Sequence, residues 1–332
     1  MASQAASAAR AEALFRALCA APGVLLTGPI GPDGDSLGAS LALGRILADR
    51  GVDVQITGDV GQRYAFLPGA DRLITDDAVG ERADWHTVCV LDGDRHRLPP
   101  GVERAWHAAE RRYAIDHHRS TTEDGYDLAW IDAGATSTCH MVLGLLRRLG
   151  VALDEELATL LHTGAVFDTG GLRFENTTPT VLRDAAELVE RGAPHADICT
   201  EVLLERRFEA VRALGRVTST ATLLAGGRVC IGTLDRDFVL EHGLVPDDLE
   251  GIVDHLLFIR GVEIAALLFE RADHTKVSLR SRGSVDVAAL AARLSPSGGG
   301  HRRAAGARAT ISRDAILAGI MGALPTESTE PG

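Results

Sequence analysis

The stretch Val24-Leu25-Leu26-Thr27-Gly28-Pro29-Ile30-Gly31-Pro32-Asp33-Gly34-Asp35-Ser36-Leu37-Gly38 decides the fold. An apolar run at 24–27 enters a turn of glycine and proline, and from Leu37 to position 47 apolar residues recur at helical spacing. Strand, turn and helix in that order open a βαβ unit, in which a parallel sheet is covered by helices. The turn holds two carboxylates, Asp33 and Asp35, on either side of Gly34. Carboxylates so placed can splay around a hard cation, although a DGD turn taken alone is as readily a helix N-cap.

The same alternation continues outward. Runs at 52–57, 87–91, 113–115 and 128–131 read as further strands, and 136–149 and 153–166 as amphipathic helices. Residues 1–193 are therefore expected to form an α/β domain with a mostly parallel sheet, preceded by an Ala-rich helix in the first twenty residues. Gly192-Ala193-Pro194 breaks the pattern, and 194–216 reads as a polar helical linker. Residues 217–324 read as a smaller α/β domain, with strands at 228–234, 262–269 and 276–280 and helices at 247–258 and 285–294. The end, 325–332, is expected to be disordered.

Composition narrows the function. A length of 332 residues suggests two domains, and the 4% aromatic content implies an aliphatic core. Five cysteines, none in a CxxC spacing, argue against a disulfide framework or a zinc site and place the chain in the reducing cytoplasm. No apolar run reaches the roughly 18 residues that a membrane span needs. The formal charge of −12 disfavours long nucleic acid as a partner but suits clustered carboxylates that hold metal.

Asp33 and Asp35 have company. Asp92 closes the run 87–91, Asp116 closes 113–115 ahead of His117-His118, and Asp168 follows the helix 153–166. In a parallel sheet such strand ends converge on one edge, where gathered carboxylates repel one another unless cations neutralise them. The oxygen and imidazole set suits Mn²⁺ first and Mg²⁺ second. Two ions sharing Asp92 would support phosphoester hydrolysis. An isolated His-His pair, by contrast, is more often a core feature.

Taken in order, Pro32-Asp33-Gly34-Asp35, Asp92, Asp116-His117-His118, Asp168-Thr169-Gly170 and Gly298-Gly299-Gly300-His301 resemble the motifs of the DHH-family phosphoesterases. Ser278-Leu279-Arg280-Ser281 and Ala304-Ala305-Gly306 resemble the DHH-associated C-terminal domain, and the nearest branch is that of the bifunctional oligoribonucleases and pAp phosphatases, or nanoRNases. The resemblance implies one ion on Asp33 and Asp92 and another on Asp35, Asp92, His117 and Asp168. It implies that His118 contacts the scissile phosphate and that Asp116 orients the histidine pair. Arg280, Ser281, Gly299, Gly300 and His301 would join His118 in binding substrate. It further implies a homodimer acting on short RNA, linear dinucleotides or 3′-phosphoadenosine 5′-phosphate (pAp), releasing 5′-mononucleotides.

One position departs from the pattern: Pro29 stands where the family motif opens with a histidine. A proline side chain cannot ligate metal, so the first ion would keep only Asp33 and the shared Asp92, unless Asp94 or His96 compensates. That substitution leaves open a nucleotide-binding sensor with an impaired metal site. A cyclic-dinucleotide phosphodiesterase or single-strand exonuclease would keep the chemistry and change the substrate. In the second domain, residues 295–301 are expected to lead into a short Ala-rich helix whose N-terminus faces an anion, with Arg280, Arg282, Arg302 and Arg303 adding positive charge. Tyr64, Phe66 and Phe174 are candidate base-stacking platforms, with core packing the alternative for each.

Overall fold

The computed structural model describes residues 2–82 and 85–325, in two compact units, Met1–Glu205 and Arg206–Gly332. The disorder expected at the C-terminus falls, beyond Pro325, outside the described residues.

The first unit opens with helix α1 (Ala2–Cys19) and strand β1 (Val24–Thr27), followed by α2 (Gly34–Ala48) and β2 (Val54–Thr57). After α3 (Asp76–Glu81) come β3 (Thr87–Leu91), α4 (Pro100–Ala108), β4 (Arg111–Asp116) and β5 (Leu128–Ile131). The five strands form one all-parallel sheet in the order β2-β1-β3-β4-β5. Strands β1 and β3 are buried along their whole length, which is why they read as unbroken apolar runs rather than as alternations. The unit closes with α5 (Thr138–Arg148), α6 (Glu155–Asp168), α7 (Pro179–Glu190) and α8 (His195–Cys199). A core of aliphatic side chains from α1, α2, α5 and α6, including Leu14, Leu43, Leu146 and Leu161, packs against the sheet.

The helix expected through 194–216 is interrupted. After α8 a single π-helical stretch covers Thr200–Leu204, the chain turns extended, and α9 begins at Phe208 and ends at Thr220. No glycine or proline marks that break. Its cause is tertiary: the Arg63 guanidinium donates to the carbonyl of Val202, a group that a continuing helix would use.

The second unit continues with β6 (Thr222–Leu224), β7 (Val229–Leu234), α10 (Arg236–Glu241), α11 (Ile252–Leu257), β8 (Ile264–Glu270), β9 (Thr275–Ser281) and α12 (Val287–Leu294). It ends with β10 (Gly299–His301), β11 (Ala304–Ala309) and α13 (Arg313–Met321). Its sheet runs β10-β11-β9-β8-β7-β6 and is antiparallel except between β7 and β8. The helix expected at 247–258 is shortened because Gly251, at φ +76°, separates a 3₁₀ turn from α11. The Ala-rich helix expected after the glycine run is instead β11. Ala305, Ala307 and Ala309 are buried while Gly306 and Arg308 face outward, a period of two that pairing with β9 enforces over the helical preference of alanine.

Candidate metal centre

The parallel sheet gathers its acidic residues where α2, α5 and α6 meet the ends of β3 and β4. Asp35 lies in the first turn of α2, fully buried. Its two oxygens accept hydrogen bonds from the first two backbone amides of α5, Thr138 N–H to Oδ2 at 2.6 Å and Cys139 N–H to Oδ1 at 2.8 Å. The opening turn of a helix carries unsatisfied donors and the positive end of the dipole, so it favours a carboxylate there. A Cβ at Gly164 of α6 would stand 2.4 Å from Asp35 Oδ1, so glycine is what lets the carboxylate fit.

Asp92 follows β3 directly and adopts φ +58°, a left-handed conformation that Asp tolerates better than most residues. It is only 4% exposed. Asp168 is the last residue of α6 rather than a residue beyond it. His117 and His118 follow β4.

These side chains converge. His117 Nε2 lies 3.2 Å from Asp92 Oδ1, 3.2 Å from Asp168 Oδ2 and 3.8 Å from Asp35 Oδ2. Ligand atoms of Asp35, Asp92 and His117 all fall within 4.8 Å of one another. Asp168 Oδ2 is buried and makes no hydrogen bond, despite its proximity to the imidazole. Burial and the charges of Asp35 and Asp33 push the Asp92 carboxyl well above its ordinary range, and burial with Asp35 does the same to Asp168. Burial lowers the His117 pKa, but Asp168 and Asp35 outweigh it and hold the imidazole above its usual value. Several carboxylates destabilised by one another, with an orphaned buried oxygen among them, make a donor set that fits a divalent cation. The 3.2 Å spacings also match the separation of about 3 Å between adjacent ligand atoms around an octahedral ion with bonds of about 2.1 Å.

Beside this set, Asp116 organises the histidine pair. Its Oδ1 accepts from the backbone amides of His117 at 2.8 Å and His118 at 3.2 Å, and from His118 Nδ1 at 2.7 Å. Burial would raise the Asp116 carboxyl, yet the His118 hydrogen bond and charge hold it below its ordinary range. Burial would depress His118 in turn, and the Asp116 hydrogen bond and the Asp92 charge hold it above. Beside a carboxylate held ionised, His118 Nδ1 is the donor of this hydrogen bond.

Asp33 is placed differently. It is the N-cap of α2, with Oδ1 accepting from Asp35 N–H at 3.0 Å and Ser36 N–H at 3.1 Å. Among the described residues it belongs to no group of three ligand atoms within 4.8 Å. Pro29 is buried, and its ring fills the space over Gly93, where a Cβ would meet ring carbons at 3.1 Å and 3.2 Å. Asp94 caps a short 3₁₀ turn by accepting from His96 N–H, the two side chains pair at 3.7 Å, and among the described residues neither joins a group of three ligand atoms within 4.8 Å.

Sequence reasoning missed Thr138. Its hydroxyl donates to Asp92 Oδ1 at 3.2 Å while its amide holds Asp35. The available signal was Thr136-Ser137-Thr138 at the head of an apolar helix, an N-cap pattern, and Ser137 Oγ does cap α5 through His140 N–H.

In the second unit, Arg280 Nε donates to Asp254 at 2.7 Å, and the Ser281 hydroxyl lies 2.9 Å from the Val285 carbonyl and 3.3 Å from that of Arg302. Gly299 and Gly300 form β10 with His301 rather than a loop before a helix, and Gly300 at φ +136° crosses Ala304 and Ala305 too closely for a side chain. Of the aromatics, Tyr64 is buried, Phe66 half-buried and Phe174 exposed.

Residues 23–165 match the DHH family, N-terminal domain, and residues 226–320 match the DHHA1 domain. The chain belongs to the DHH family. It is 33% identical over 304 residues to the bifunctional oligoribonuclease and PAP phosphatase NrnA of Thermus thermophilus, covering 91% of this chain and 89% of that one. It is 28% identical over 306 residues to the protein of the same name from Bacillus subtilis, covering 89% and 91%. An exopolyphosphatase-related protein from Bacteroides fragilis shares the fold, with a TM-score of 0.81, 23% identity and 95% of each chain covered. Among the described residues no helix is long and apolar enough to cross a membrane.

Proposed function

We propose that this chain is a metal-dependent phosphoesterase that cleaves short oligoribonucleotides to 5′-mononucleotides and removes the 3′-phosphate of pAp. The observation that carries this reading is the convergence of Asp35, Asp92, Asp168 and His117 on one buried point. Its support from relatives is the full-length similarity to two proteins named as oligoribonucleases and PAP phosphatases.

Asp35, Asp92, His117 and Asp168 would hold one resident divalent ion, Mn²⁺ by preference because imidazole joins the carboxylates. Such an ion supplies Lewis-acid charge to the phosphoryl oxygens and lowers the pKa of water. The chain supplies the rest. Asp92 fixes the ion's place relative to the histidine pair. His118, held by Asp116 through Nδ1, would offer its other ring nitrogen, Nε2, to the phosphate and stabilise charge there. Asp33, whose Oδ1 caps α2, would with Asp92 hold any second ion, and only weakly, because Pro29 stands where an imidazole ligand would be. In the second unit, Arg280, Ser281, His301 and the amides of Gly299 and Gly300 would recognise the phosphate or ribose of the substrate.

The test is turnover of a labelled dinucleotide and of pAp in Mn²⁺. Asp92→Ala is expected to lower turnover on the order of a thousandfold, several kcal/mol of transition-state stabilisation, with the fold intact by circular dichroism. Unchanged turnover in that variant defeats the reading, and tight binding of pAp without turnover by the wild type would make the chain a nucleotide sensor.

A further inference from the structure

We infer that Thr138 is a positioning residue: from the first turn of α5 it sets the orientation of both central carboxylates, Asp35 and Asp92, for the ion. The inference rests on the metal-centre reading above and concerns what builds that centre.

Asp35 and Asp92 arrive from different elements, the start of α2 and the end of β3. Thr138 hydrogen-bonds to both, through its amide to Asp35 and its hydroxyl to Asp92. It is fully buried, so its hydroxyl must find an acceptor, and it donates to Asp92 Oδ1 at 3.2 Å. Its amide donates to Asp35 Oδ2 at 2.6 Å, and the next amide, of Cys139, takes Asp35 Oδ1 at 2.8 Å. The turn is itself anchored, since Ser137 Oγ accepts from His140 N–H at 3.0 Å.

All three donors are neutral, and that is the point of the arrangement. A Lys or Arg in this place would orient the carboxylates and cancel the charge that attracts a cation. An amide or hydroxyl orients them and leaves the negative charge for the ion. Each carboxylate oxygen has a second lone pair, so the bond from Thr138 to Asp92 Oδ1 fixes the rotamer while the oxygen still faces His117 Nε2 at 3.2 Å. Cys139 contributes its backbone amide, and its sulfur faces the carbonyl oxygens of Asp35 and Leu160.

The experiment is calorimetric titration of Mn²⁺ into the metal-free full-length chain. Thr138→Val keeps the shape and removes the hydroxyl, and its Mn²⁺ dissociation constant is expected to rise at least about tenfold, as for other groups that orient metal ligands. Thr138→Ser restores the hydroxyl and is expected to bind within about threefold of wild type, while thermal midpoints of the metal-free proteins stay within a few degrees of one another. Should Thr138→Val fail to fold, Thr138→Ala makes the same comparison without β-branching. Wild-type affinity in the Val or Ala variant, or a Ser variant as weak as Val, overturns the inference. A wild-type chain that takes up no Mn²⁺ overturns the metal centre itself, which is a different result from equal binding by wild type and variants.

Discussion

At the edge of the parallel sheet the ionisable groups are buried and oriented mainly by neutral donors, whereas in the second unit they are more open and neutralise one another. Asp35 and Asp92 are 0% and 4% exposed and are held by amides and a hydroxyl. Arg280 and Asp254 keep 27% and 22% of their side-chain surfaces and pair directly. The first arrangement gathers negative charge that a divalent ion would relieve. The second is already balanced, so it can add recognition of a ligand without being poised for chemistry. Catalysis and grip are thus expected to separate by unit, and three substitutions sharpen or break that division.

The largest effect is expected at His117. His117→Ala removes an imidazole from the centre and should lower kcat on the order of a thousandfold for dinucleotide and pAp alike, measured at saturating Mn²⁺. A loss confined to KM would move His117 into substrate binding and blur the comparison.

The next effect is on stability and belongs to the first unit alone. His162 of α6 is fully buried against His195, Nε2 to Nδ1 at 2.9 Å, and burial reinforced by that neighbour pushes its pKa down to about 4. Below an unfolded value near 6.5 the unfolded chain binds a proton that the folded chain refuses. The contribution is therefore complete above pH 6.5 and is lost as pH falls toward 4, to a total of up to about 3 kcal/mol. Urea midpoints of metal-free wild type and His162→Gln should converge across that window as the wild type loses its advantage. A parallel pH dependence in the two proteins would contradict the assignment.

The smallest effect is expected in the second unit. His301→Ala should raise KM about tenfold and leave kcat within about threefold, the signature of a contact made equally in the ground and transition states. Equal falls in kcat and kcat/KM would give His301 a role in the chemical step.

Much of this was legible along the chain, for physical reasons. The strands of the parallel sheet read clearly because both faces are buried and the runs are continuously apolar, as in 87–91. Asp35, Asp92, His117 and Asp168 were legible because the order of elements in such a sheet places their ends together. What was hidden depends on contacts between distant residues. Thr138 reads as an ordinary cap and becomes informative only when Asp92 lies 3.2 Å from its hydroxyl. The alanines of β11 carry a helical preference that pairing with β9 overrides, and the break after Leu204 depends on Arg63, far upstream. Asp33 could be read as ligand or cap, and its Oδ1 caps α2 through Asp35 and Ser36, a role that does not exclude the other.

The central claim is that one resident ion sits among Asp35, Asp92, His117 and Asp168. Anomalous scattering at the manganese edge from crystals soaked in Mn²⁺ tests it most directly. The account predicts a strong peak at about 2.1–2.3 Å from ligand atoms of those four side chains, with any second peak near Asp33 much weaker. A peak elsewhere, or none at these four residues at saturating Mn²⁺, would contradict it.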